Sequence, residues 1–500
     1  MSNFPKKIGI IQSRSLPGAF PDNLRQIVQG YRECLDHGAD IVIAPLTALS
    51  GPATGDLKRR RAFLRQMEEA AETLAAELAV TDTPLLTGYC INPLLTLPDD
   101  DDNDSAWEMD DGLLYDAEEE DYSMHSSVIT VPCLIHRGTI RILTDGGTAT
   151  IGNILCHVTS SGEESLPDGE VDLIVHMPET PWHNLSTEQE QNIYCWESHA
   201  SQTPVVCVHP VGSESGQLFG GGSALYHRNK LVGLLPLFET ACCTLRIPTS
   251  PKATGIKTPE LITQVEKALL FGIRDTVQQQ GYTGVCLSLD YRNSKLLAYL
   301  CVQALGADNV LGISFTGEKY TGIKCMNIQA DELLNLAVKQ LSTNDNDALE
   351  QRLKASLTSA IAEEKRLMLL STLDRHSIML GDFELYGESC GYLAPLGNLY
   401  RIDSFLLCRH IADREPDMLH AIPEPTQPEQ DRIIHDLSER NISASDMLLN
   451  NRDGLQENTV RSIQRKIAAS ALKRTQLPLI LRLASPSEQL SIPLSNRLND

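Results

Sequence analysis

The chain has 500 residues, enough for two or three domains that each bury a core of their own. Lysine and arginine number 42 against 66 aspartates and glutamates, and the net charge of −24 sets nucleic acid and anionic membranes aside as partners. No apolar run approaches the ~18 residues of a membrane span, and the opening MSNFPKKIGIIQSRS lacks the apolar stretch of a signal peptide.

KIGIIQS reads as a strand. Asn23 to His37 reads as an amphipathic helix, because Leu24, Ile27, Val28, Tyr31 and Leu35 recur at helical spacing and Gly38 follows. ADIVIAP is a second strand, Asp56 to Ala79 a long helix, and TPLLTGY a third strand. Strands alternating with crossover helices predict an α/β fold. Residues 99–121 break the pattern with 13 acids and no base, more than half of the net charge. This composition predicts a loosely attached acidic loop, and the absence of DxDxDG spacing argues against a calcium site.

Strand-like segments resume at SSVITV, TIRILT, IGNILC, VDLIVHM and PVVCVHP, and GSALYHRN with KLVGLLPL reads as a hairpin. The polar, proline-containing stretch 250–259 is a linker, which sets a first domain at 1–249 and a second at 260–500. The second domain opens with a helix from Glu260 to Gln279. The strand GVCLSLD, a helix from Lys295 to Leu305 and the strand NVLGISF follow as a βαβ unit of a doubly wound sheet. Helices are predicted near Leu349 to Glu364, Asp431 to Leu437 and Asn458 to Arg474. The 13 cysteines form no CxxC pair and no zinc spacing, so they read as reduced, buried thiols of a cytoplasmic protein, and no metal site is expected.

Five stretches in order carry a family resemblance: ADIVIAPLTALSG, IGNILC, DLIVHMPETPWH with HPVGSESGQLFGGGS, YTGVCLSLD through LLAYLCVQALGADNVLG, and ELYGESCGYLAPLGNLYR with KRTQLP. Together they resemble the glutamine-dependent NAD synthetases. The resemblance implies a nitrilase-like αββα sandwich that hydrolyses glutamine. It implies a second, pyrophosphatase-type domain that uses ATP and magnesium to amidate nicotinic acid adenine dinucleotide.

The same stretches depart from the family where its chemistry lies. The amidase needs a cysteine nucleophile, a glutamate base and a lysine for the oxyanion. Cys156 stands at the nucleophile position, at the end of its strand. Leu46 stands where the family has glutamate, and no lysine lies between Lys58 and Lys230. The family's two acids after the cysteine are His157 and Val158 here, and strand neighbours point to opposite faces, so His157 is not expected to activate Cys156.

In the synthetase domain the family's Ser-Gly-Gly-x-Asp-Ser pyrophosphate loop aligns with Asp290, Tyr291, Arg292, Asn293, Ser294 and Lys295. Asp290 is expected to repel phosphate there, with Arg292 and Lys295 as the only cations to offset it. A second ATP motif aligns from Thr372 to Ser377, with Ser377 in place of a glutamate. Tyr386, Glu388, Lys473 and Arg474 match positions of possible ligand contact, and the bases at 473–474 equally suit a helix C-terminus.

These departures predict a catalytically impaired homologue, a regulatory or partner subunit in a homo-oligomer or in a hetero-oligomer with a genuine NAD synthetase. No cofactor is then expected. The alternatives are an active synthetase, which would use ATP and magnesium, and a dinucleotide-binding sensor.

Overall fold

A computed structural model describes residues 6–91, 128–163, 165–249, 255–341, 346–450 and 454–484. The acidic stretch 99–121 lies outside the described residues. Two compact units emerge. The first comprises residues 1–181, 187–212 and 219–258, and the second 182–186, 213–218 and 259–500. No helix among the described residues is long and apolar enough to cross a membrane.

The first unit contains two six-stranded sheets. One runs in the order Ala241–Arg246, Lys7–Gln12, Ile41–Ile43, Leu85–Ile91, Ile129–His136, Thr139–Ile142. The other runs Leu231–Leu234, Ala224–Tyr226, Val205–Cys207, Leu173–His176, Ile154–Thr159, Gly147–Ile151. Strand alternation divides their side chains between layers. Ile8, Ile10, Ile41, Ile43 and Leu86 of the first sheet pack with Cys156, Val158, Leu173, Val175 and Val206 of the second. Ile11, Val42 and Leu85 face the other way, onto the helices Phe20–Asp36 and Arg61–Leu78. Ile174, Val205 and Cys207 of the second sheet meet Tyr194 on the helix Ser186–Ala200. The layers are therefore helix, sheet, sheet, helix, as the resemblance implied.

One buried pair fixes the loop after Ile154–Thr159. His176 Nε2 lies 2.8 Å from Glu197 Oε2, and both side chains are fully buried. The other carboxylate oxygen accepts from the Ser165 amide at 3.0 Å, and His176 Nδ1 meets the Ser161 carbonyl at 3.1 Å. Removing Glu197 strips His176 Nε2 and the Ser165 amide of their partner. Glu197→Ala is expected to cost about 1–3 kcal/mol of unfolding free energy for each buried group left unpaired, measured by chemical denaturation. A loss below about 1 kcal/mol, the worth of an ordinary hydrogen bond, would show that the pair does not hold this loop.

The second unit is built on a six-stranded sheet, in the order Lys324–Asn327, Val310–Ser314, Val285–Ser288, Met368–Leu370, Leu393–Ala394, Leu479–Ile480. Every pairing in it is parallel. The chain moves outward one way from Val285–Ser288 and the other way from Met368–Leu370. These two neighbours form the topological switch point, and right-handed crossovers on either side put helices on both faces. The helix Ser294–Leu305 makes the first crossover, and Asn346–Glu364 precedes Met368–Leu370. In such sheets a ligand belongs beyond the C-terminal ends of the switch-point strands, here residues 289–293 and 371–374.

Candidate functional site

Cys156 is the third residue of Ile154–Thr159, not the last as the sequence suggested, because the β-prone run His157, Val158, Thr159 carries the strand on. Its side chain is fully buried in the inter-sheet core, in the same cluster as Leu46. Burial, with a smaller push from Asp172, raises the thiol to about 12. His157 points to the opposite face, where its Nε2 lies 2.9 Å from Ser165 Oγ. Among the described residues, none is hydrogen-bonded or ion-paired to Cys156 as a base or a cation.

A different group gathers at the C-terminal ends of the strands Ile41–Ile43, Leu85–Ile91 and Leu173–His176. Lys58 Nζ donates to Thr130 Oγ1 at 2.9 Å and lies 3.6 Å from Glu179 Oε2. The Cys90 thiol meets Thr130 Oγ1 at 3.7 Å. Burial pushes this thiol up, while Lys58 and hydrogen bonds from Thr130 and Ser50 pull it down. Sequence reading missed this cation, carboxylate and thiol because 121 positions separate Lys58 from Glu179 and no local spacing links them.

At the synthetase switch point, Asp290 does not face an anion site, contrary to the sequence expectation. Its carboxylate turns to the end of the neighbouring strand and accepts from Ser314 Oγ, Thr316 Oγ1 and the Phe315 amide, each at 2.7 Å. The loop amides are used internally as well. Asp290 N donates to Ser288 Oγ at 3.4 Å, Tyr291 N to Ser294 Oγ at 3.1 Å, and Ser294 N to the Tyr291 carbonyl at 3.1 Å. Ser294 Oγ in turn donates to the Ser288 carbonyl at 2.7 Å. Asn293 reaches across the switch point to the Thr372 carbonyl and Asp374 Oδ2. Arg292 donates to the Pro423 carbonyl at 3.1 Å, and Lys295 is exposed.

The second motif closes in the same manner. Asp374 caps the short helix Arg375–Leu380 by accepting from the Ser377 amide at 2.8 Å. Thr372 Oγ1 donates to Glu388 Oε1 at 3.0 Å. The cavity left between Ser288, Tyr291, Lys354, Thr372 and Glu388 measures about 20 Å³, room for one water. Tyr386 stands apart, 68% exposed and with a left-handed φ of 62°. Lys473 and Arg474 serve helix ends. Lys473 Nζ donates to the carbonyls of Gly381 and Phe383, at 3.0 and 2.8 Å, and Arg474 to those of Met379 and Ile467, at 3.3 and 2.8 Å.

Burial pushes the Glu388 carboxyl up from 4.5 to about 7, against the pull of the Thr372 hydroxyl; Asp374 adds to the rise and Arg401 opposes it. The folded chain thus keeps a proton that the unfolded chain releases near 4.5, and stability is lost as pH rises from there through 7. Glu388→Gln removes that dependence. Thermal unfolding is expected to show the variant more stable than the parent at pH 8, with the gap shrinking toward pH 4.5. A gap independent of pH would contradict the buried, protonated carboxyl.

Comparison with known proteins covers both units. The NAD synthase family matches residues 265–477. The chain is 24% identical to a glutamine-dependent NAD(+) synthetase of Synechocystis sp., covering 94% of each chain. It is 24% identical to that of Rhodobacter capsulatus over 81% of this chain and 78% of the other. Two solved structures share the fold over nearly the full length. A glutamine-dependent NAD(+) synthetase from Cytophaga hutchinsonii superposes with a TM-score of 0.78 at 12% identity, covering 99% of this chain and 98% of that one. One from Acinetobacter baumannii, in complex with ADP, gives 0.67 at 15%, covering 97% and 98%. Residues 265–477 thus match the NAD synthase family, and over nearly its full length the chain is similar in sequence and in fold to glutamine-dependent NAD(+) synthetases.

Proposed function

We propose that this chain is a catalytically impaired member of the family, a non-catalytic regulatory or partner subunit linked to NAD biosynthesis. Its partner on this reading is an intact NAD synthetase, or further copies of itself. The observation that carries the reading is the loop 289–294. A pyrophosphate loop must aim free N–H groups at its ligand. Here the amides of Asp290, Tyr291 and Ser294 donate inside the chain, and Asn293 bridges the switch point. The residues present do not fit ATP with magnesium, and the amidase position has the same character, since Cys156 and Leu46 share an apolar core.

The test is purification of the full chain from its native cell, with quantitative mass spectrometry of what accompanies it. An intact glutamine-dependent NAD synthetase in fixed ratio is the expected result. Purified chain that makes NAD alone from nicotinic acid adenine dinucleotide, ATP and ammonia would restore the active alternative.

A second reading, the dinucleotide sensor, draws on one observation. A cavity of about 400 Å³ opens at the N-terminal ends of Met368–Leu370, Leu393–Ala394 and Leu479–Ile480, lined by Ser213, Gln279, Gln280, Tyr282 and Tyr392. The two tyrosine rings stand 6.0 Å apart and could stack on a base. Dinucleotide binding lost in Tyr392→Ala, with no partner protein recovered, favours the sensor.

A further inference from the structure

Two thiols meet on the helix-covered face of the first sheet in the first unit. Cys34, near the end of Phe20–Asp36, has its Sγ 3.3 Å from the Sγ of Cys242 on the edge strand Ala241–Arg246. The close approach has a local cause. The strand beneath carries Gly9, and a Cβ there would stand 2.7 Å from Cys34 Cβ, so any side chain would lift the helix off. Cys243 also borders the strand Lys7–Gln12 but belongs to the other layer. Cys242 packs with the helix-side core and Cys243 with the inter-sheet core, as strand alternation requires. Cys34 is buried and Cys242 partly exposed.

We infer that Cys34 and Cys242 form a reversible covalent modification site, a dithiol that small-molecule disulfides oxidise to an intramolecular disulfide. Cys242, the reachable partner, loses its proton and attacks one sulfur of the external disulfide. The bond between Cys242 and that sulfur forms, the external S–S bond breaks, and the first small thiol leaves with the proton. Cys34 then loses its proton and attacks the Cys242 sulfur. The Cys34–Cys242 bond forms, the mixed disulfide breaks, and the second small thiol leaves. Two cysteines are oxidised and one external disulfide is reduced to two thiols. In the reduced pair the shared hydrogen bond keeps the proton on Cys242 and favours the Cys34 thiolate, so Cys242 attacks first because it is the reachable thiol and not because it is the more acidic one. The sulfurs must close by on the order of 1.3 Å to reach a bond of about 2.05 Å.

The product ties the first helix to the strand that ends the sheet, across 208 residues of chain. The probe is oxidised glutathione added to the full chain, followed by alkylation of remaining thiols, digestion without reduction and mass spectrometry. The expected result is a Cys34–Cys242 linked peptide, the first linkage to form, reversed by dithiothreitol. Cys34→Ser is expected to retain one glutathione on Cys242, the trapped intermediate that a purely structural contact would not yield. Cys243→Ser is expected to leave the linkage intact, and with the parent chain it decides the matter if Cys34→Ser fails to fold. Linkage of Cys34 to Cys243, linkages only between chains, or no linkage in a natively folded chain would each overturn the assignment.

Discussion

Glutamine offered to the full chain is expected to release ammonia at the rate of buffer alone, and Cys156→Ala is expected to leave that rate unchanged. The thiol is raised to about 12 by burial, and at pH 7 roughly one in 10⁵ such thiols is ionised. A free cysteine would be a few per cent thiolate at that pH. The missing base costs a further ~10²–10⁴-fold, and a missing oxyanion donor about 10²–10³. No single substitution restores the set. Leu46→Glu would put a carboxylate 3% exposed among Ile8, Ile41, Leu86 and Cys156, and the expected outcome is a less stable unit, not an active one. Ammonia release abolished by Cys156→Ala would refute the impairment reading for this unit. Release abolished by Cys90→Ala instead would mean that hydrolysis had moved to the group of Cys90, Thr130, Lys58 and Glu179.

The layers were legible in the sequence because they rest on local alternation. Ile8, Ile10 and Ile11 declare their strand, and the helical spacing of Leu24, Ile27, Val28 and Tyr31 declares the helix over it. Element ends were less legible. The helix predicted from Asp56 begins at Arg61, after a 3₁₀ turn at Gly55–Arg59, and Asn458 to Arg474 divides into Glu457–Ala469 and Ala471–Arg474. The helix Asp331–Leu341 was missed although Leu334, Ala337, Val338 and Leu341 recur at helical spacing, and it buries no residue fully. The orientation of site residues was least legible, since it depends on partners far along the chain. Asp290 turns toward Ser314 and Thr316, Lys473 toward Gly381, and Lys58 toward Glu179. Each is a typical charged residue in isolation, and only tertiary neighbours decide whether it meets a ligand or the protein itself.

Titration of the full chain with ATP and magnesium to millimolar concentration is expected to give no saturable heat, and nicotinic acid adenine dinucleotide with ATP and ammonia is expected to yield no NAD. The reason is competition. To present amides to a pyrophosphate, the loop must release the bonds from Asp290 N, Tyr291 N and Ser294 N. At about 1 kcal/mol each, those three losses alone weaken binding ~10²-fold. Asn293 must also leave the Thr372 carbonyl and Asp374, and Tyr291 must vacate a site with room for one water. Glycine at 291 would remove only the last of these costs, because it brings no side chain to displace, while its amide could still bond Ser294. Arg292 could supply a cation only by leaving the Pro423 carbonyl, whereas Lys295 is already exposed. Micromolar ATP affinity that vanishes in an Arg292→Ala, Lys295→Ala double variant would therefore mean a loop rebuilt around side-chain cations. NAD formed in proportion to added protein would go further and overturn the impaired reading, since product cannot form unless the loop that now bonds internally gives way to nucleotide.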